Sequence, residues 1–218
     1  MLFRSRRALG IPDTGPIIGT IRDAATSTAL LRDAVARVPG ARLMVIGEAA
    51  GADIAPGRVS DADLPIYLAA ADVLALPLDD NLVNRGRWPH KLGDMLAAER
   101  PVVVGAGGEF PALIEARRAG VIAEHHPVAF ATAFADIIRY PGMYEPVARR
   151  GRQLIETELC WDVIGVELAD AVERAVTLAG RRTPTSAAAS ARRSRRDSAG
   201  SMRTRARRSR RAVRTRRS

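Results

Sequence analysis

The sequence predicts an α/β fold: a parallel sheet with helices on both faces, followed by a disordered basic tail. Three observations carry this. Short β-branched or leucine-rich runs alternate with amphipathic stretches, which is the pattern of strands buried on both faces and joined by crossover helices. The apolar periodicity stops near Ala179. Beyond it the text "RRTPTSAAASARRSRRDSAG…" holds almost no side chain worth burying, as a disordered segment requires.

The candidate strands are "PIIGTI" (16–21), "RLMVIG" (42–47), "DVLALPL" (72–78), "PVVVGA" (101–106) and "GVIAE" (120–124). Helical patterns lie between them at 24–37, 61–70, 89–98 and 109–118. Three more follow at 127–139, 142–157 and 161–179. Residues 1–14 read as an N-terminal extension, 15–180 as one domain and 181–218 as the disordered arginine-rich tail.

The whole-chain charge of +10 invites a nucleic-acid reading, but the charge is unevenly placed. Residues 181–218 contain 15 arginines and a single acid, Asp197, and so carry +14, which leaves residues 1–180 at −4. Cys160 is the only cysteine, so no intrachain disulfide can form and a reducing cytoplasm is the expected setting. The basic start "MLFRSRRALGIPD" lacks the apolar core of a signal peptide, and no apolar run is long enough to span a bilayer. A peripheral place at the inner membrane face stays open.

In an open parallel sheet, ligands bind beyond the carboxyl ends of the strands. The richest loop there is "DDNLVNRGRWPHKLGD", with Asp80, Asn81, Asn84, Arg85 and Arg87 ahead of Pro89. A helix starting at Pro89 offers free backbone N–H groups and a positive dipole, and Lys91, the only lysine of the chain, adds a cation. That combination suits a phosphate or diphosphate. Lys91 and Asp94, three apart, equally fit an ordinary surface ion pair worth a few tenths of a kcal/mol, roughly. "GAGGEF" (105–110) lacks the full dinucleotide spacing, and His90, His125 and His126 lack metal-ligand spacing. No metal or cofactor is expected.

The ordered set "ARLMVIGEAAG", "GRVSDADLPIYLAAADVLALPL", "RGRWPHKLGDMLAAERPVVV", "GVIAEHHPVAFATAFADII" and "CWDVIGVELADAVERA" resembles the carboxyl-terminal half of GT-B glycosyltransferases, especially glycosyltransferase family 4. The resemblance runs from about Ile11 to Ala175. It implies a Rossmann-like, nucleotide-sugar-binding domain in which the arginines and Lys91 face the donor diphosphate. It also places Asp94 where the family has a ribose-binding glutamate, and the backbone around Arg58 and Val59 at the base.

Four departures accompany it. The family's two glutamates, seven residues apart, correspond to Gly86 and Asp94, so Asp80, Asn81 or Asn84 would have to serve the sugar. Glu99 replaces a glycine usual after "LAA", and Ala112 a glutamate usual in "GEFPALI". No acceptor domain fits before the first strand. The implied protein is therefore the donor-binding half of a hexosyltransferase-type enzyme, inactive alone and completed by a separate acceptor-domain chain. The alternatives are a non-catalytic nucleic-acid or anionic-surface binder acting through the tail, and a degenerate gene fragment. Sequence-independent, salt-dependent binding would mark the first of these.

Overall fold

The computed structural model describes residues 2–22, 27–48, 51–86 and 88–181. Arg87 and the arginine-rich tail from 182 onward lie outside them. The chain divides into two compact units, 1–164 and 165–218.

The first unit is built on six strands: β1 (Ile17–Ile21), β2 (Arg42–Ile46), β3 (Ile54–Gly57), β4 (Val73–Leu76), β5 (Val102–Gly105) and β6 (Val121–Ala123). Every pairing is parallel, in the order β3-β2-β1-β4-β5-β6. β4 and β5 are buried along their whole length, as their unbroken apolar text requires. The chain runs outward from β1 through β2 to β3, then returns to place β4 on the other side of β1. Ligand crevices form at such a reversal.

Alternating strand residues feed two cores. On one face Ile17, Met44, Leu74 and Val104 pack with Leu68 of α3 (Leu64–Ala70), Leu92 of α5 (His90–Ala97), Ile114 of α6 (Phe110–Arg117) and Leu154 of α8 (Pro141–Thr157). On the other, Ile18, Val45, Val73 and Val103 meet Leu31 of α2 (Thr28–Val35) and the edge-on pair Phe130 and Phe134 of α7 (Pro127–Arg139). The last helix, α9 (Trp161–Arg181), runs into the second unit, where the described residues are its carboxyl-terminal part. Val166, Val172 and Val176 are exposed there.

Three elements are additions to the sequence reading. β3 is an edge strand pairing only with β2, and its text "IAPG" has no alternating apolar pattern. Pro56 is tolerable there because an edge strand need not donate on both sides. α4 (Leu82–Arg85) is a single turn whose start Asn81 caps by accepting Asn84 N–H at 2.8 Å. α1 (Leu2–Ala8) sits in the segment read as an extension, and its Arg6 is only 4% exposed. Arg6 Nε donates to the Ala70 carbonyl (2.9 Å), Nη1 to Asp13 and Nη2 to Asp72, whose carboxylate also accepts Ile17 N–H (2.6 Å). One guanidinium thus ties α1 to the end of α3 and the start of β4.

Glu99, where the resemblance has a glycine, adopts φ 53°, and its carboxylate is 3.9 Å from Arg152. A side chain in the left-handed region is disfavoured by about 1 kcal/mol. Glu99→Gly is therefore expected to stabilise the fold by about 0.5 to 1 kcal/mol in urea titrations; a loss of stability would mean that the Arg152 contact outweighs the backbone strain.

Candidate functional site

A groove of about 440 Å³ opens at the carboxyl ends of β1 and β2. Ile21 and Arg22 enter it from the end of β1, and Gly47 and Glu48 from the end of β2. Arg58, Val59, Asp61 and Leu64 come from the segment linking β3 to α3. Gly47 has φ +115°, a backbone conformation that side-chain-bearing residues rarely adopt, so glycine suits this strand end. Val59 packs on the first core, which holds this segment in place. A larger cavity lies at the opposite end of the strands. The open end of a parallel sheet at its reversal nevertheless makes the groove the stronger candidate for a ligand site.

Lys91 is not a surface residue. It is 8% exposed, and its ammonium donates to the Ile21 carbonyl (3.0 Å), 70 residues away and at the edge of the groove. This long-range contact carries the cation to the end of β1. Pro89 opens α5 without a capping side chain, so the helix presents its amino end beside that cation.

Asp94, one turn on, is exposed. Partial desolvation raises its pKa, repulsion from Asp61 in the groove raises it further, and His90 opposes both. A carboxylate whose folded pKa lies above its unfolded value costs stability where it is ionised. Asp94→Asn is therefore expected to raise the melting temperature at neutral pH. The gain should fade as pH falls through the folded pKa of Asp94 and vanish below its unfolded value of about 3.9. An unchanged or lower melting temperature at pH 7 would show that neither the desolvation of Asp94 nor the Asp61 repulsion has energetic weight.

The remaining residues of the loop also hydrogen-bond to one another. Asp80 and Arg85 form an exposed two-point pair (Nε to Oδ1, 2.7 Å), and the hydrogen bond from Arg85 is the main reason the Asp80 pKa is lowered. Asn81 is the α4 cap and donates to Asp79. Asn84 is 1% exposed, with its amide nitrogen spent on the backbone and side chain of Asp79 (2.9 and 2.8 Å). The glycines of "GAGG" lie under this loop. A Cβ on Gly107 would stand 2.2 Å from the Asp79 carbonyl, and one on Gly105 2.1 Å from that of Leu78. They are there for close backbone approach.

Of the residues named from the sequence, Arg58 and Val59 line the groove, Lys91 reaches its edge at Ile21, Asp94 lies within electrostatic range of Asp61, and Asp80, Asn81, Asn84 and Arg85 lie in the loop after β4. Arg22, Glu48, Asp61 and Leu64 were not singled out in the sequence. The signal for the first two was there, since each is the first or second residue past a strand end. His126 caps α7, its Nδ1 accepting Val128 N–H at 3.2 Å. Among the described residues no three His, Cys, Asp or Glu side chains gather in a metal-binding group, and no helix is long and apolar enough to cross a membrane.

The profile of the group 1 glycosyl transferases matches residues 17–139, which spans the sheet, the groove and α5. The chain belongs to the group 1 glycosyl transferase family. Its fold is similar to that of sucrose-phosphate synthase from Thermosynechococcus elongatus, with a TM-score of 0.69 at 17% identity, over 81% of this chain and 49% of that one. It is also similar to Anabaena HepE, solved in complex with UDP and glucose, with a TM-score of 0.66 at 15% identity, over 78% and 51% of the two chains. This glycosyl transferase chain therefore spans about half the length of those structures. The C-terminal domain of a group 1 glycosyl transferase from Francisella tularensis matches it over 93% of that domain's length, with a TM-score of 0.58 at 19% identity and over 73% of this chain. The fold is thus that of the carboxyl-terminal, GT-B Rossmann-like half. No curated protein matches the chain.

Proposed function

We propose that the groove between β1, β2 and the amino end of α5 binds a nucleoside diphosphate sugar, the donor of a hexosyl transfer. The observation that carries this reading is the Lys91 ammonium held at the Ile21 carbonyl, on the groove edge and beside the uncapped start of α5. A diphosphate there meets a cation and a helix dipole in a partly water-excluded site, where both act most strongly. Val59 and Leu64 offer the apolar wall a base needs, and the Arg58 backbone its edge. Asp94, exposed on α5 and close enough to feel Asp61, is the acceptor for ribose hydroxyls.

In transfer, charge builds on the leaving diphosphate as the sugar–oxygen bond breaks. A fixed ammonium lowers that barrier by stabilising the developing charge. The acceptor and its activating group belong to a second domain, of the kind that fills the other half of the matched structures, supplied by another segment or chain. HepE, crystallised with UDP and with UDP-glucose, supports the donor class.

Titration calorimetry of the full chain with UDP, ADP and GDP tests the reading. Saturable binding of at least one, weakened by inorganic pyrophosphate, is the expected result. Failure of all three to bind at about millimolar concentration would overturn it.

A further inference from the structure

From residue 165 to residue 179 every position of α9 is exposed. Leu168, Ala171, Ala175 and Leu178 recur at spacings of three and four, the seam pattern of paired helices, and Gly165, Val172 and Val176 widen the stripe along one side. Val166 is the one large apolar residue of this stretch off the stripe. A helix of this length without packing is marginal in water, and its glycine and valines lower its intrinsic stability further. The stripe therefore needs a covering surface.

The charge pattern favours a second copy of the same helix, run in the opposite direction. Glu167, Asp170 and Glu173 occupy the first half of the stretch, and from Arg174 to Arg196 the sequence holds no acid. A copy laid parallel would set acids against acids and start both +14 segments from the same end. Laid antiparallel, it sets the acidic half of each helix against the basic half of the other, and flanking charges of this kind fix the orientation of paired helices. Side-chain sizes fit the same arrangement. With a two-fold axis between residues 169 and 170, Leu168 lies across from Ala171, Val172 across from Gly165 and Glu167 across from Arg174, each contact occurring twice. A larger apolar residue meets a smaller one, so the helix axes can approach closely.

We propose that α9 is a self-association surface: a second copy of this chain docks on it antiparallel, Leu168 and Val172 of each copy seated on Ala171 and Gly165 of the other, with Glu167 paired to Arg174. The surface belongs to the second unit and does not rest on the reading of the donor groove.

The test is analytical ultracentrifugation of the full chain over about 1 to 200 μM. One helix face makes a modest interface, so the wild type is expected to pass from monomer to dimer with a midpoint on the order of 10 μM. Leu168→Glu, at a position 59% exposed, is expected to leave the melting of the first unit unchanged and to keep the chain monomeric throughout. Glu167→Arg should weaken the dimer by about tenfold, and adding Arg174→Glu should return it to within about threefold of the wild type. That recovery marks the antiparallel pair, because in a parallel pair residue 167 of one copy does not meet residue 174 of the other. A chain still monomeric at about 200 μM overturns the proposal and leaves the stripe to a different protein. So does a dimer that survives Leu168→Glu, as one held through the arginine-rich tail would, or a double variant that associates no more tightly than Glu167→Arg.

Discussion

Lys91→Met should weaken binding of a nucleoside diphosphate by about 1.5 to 3 kcal/mol, roughly 10- to 150-fold, and should weaken the bare nucleoside much less. Methionine keeps most of the unbranched stem that packs at the start of α5, so the change isolates the ammonium. The size of the effect follows from burial: Lys91 is 8% exposed, and a charge-assisted contact shielded from water is not screened as a surface pair would be. Asp94→Asn should act differently, weakening nucleoside and diphosphate alike, since both carry the ribose. Calorimetry on the wild type and the two variants separates these roles. Equal loss of nucleoside and diphosphate in Lys91→Met would show that the lysine shapes the groove through Ile21 and is not a diphosphate clamp.

Arg6→Leu should destabilise the first unit by about 3 kcal/mol, the low end for a broken buried pair, because Asp72 keeps part of its side chain in water. The guanidinium is 5% exposed and Asp72 29%, so the stranded carboxylate is largely cut off from solvent. Adding Asp72→Asn removes the uncompensated charge while keeping an acceptor for Ile17 N–H. The double variant should recover a large part of the loss. Urea titration of the four proteins gives the coupling energy. Additive effects would mean that Arg6 acts through Asp13 and the Ala70 and Gly15 carbonyls and not through Asp72.

The α/β class was legible because its cause is local. Strands such as "DVLALP" and "PVVVGA" must be apolar on both faces when helices cover both sides of a sheet, and the alternation with amphipathic text follows from that burial. α7 needed no adjustment, and α3, α5, α6 and α8 lie within about three residues of their expected bounds. β3 was not legible: an edge strand with one partner needs little apolar text, and "IAPG" carries almost none. α1 was missed because seven residues with three arginines show no usable periodicity, and its anchor is a single side chain reaching Asp72, 66 positions on.

The candidate site divides along the same line. The kind of site, a cation at a helix start beyond the strand ends, is written in residues 85–94, since proline, lysine and helix polarity act within a few positions of one another. Local text cannot tell a surface Lys91–Asp94 pair from a buried lysine reaching Ile21, because the two share every residue from 89 to 97 and differ only in what lies across the sheet reversal. That was decided by the order β2-β1-β4, which sets α5 beside the end of β1. The glycines at 105–108 follow the same rule: their text falls short of a dinucleotide fingerprint, and only the packing of residues 78–84 over them shows that they make room for backbone. Composition and periodicity determine which surfaces must be buried; which polar groups then meet is set by contacts between positions far apart in the chain, and those exist only once the sheet has assembled.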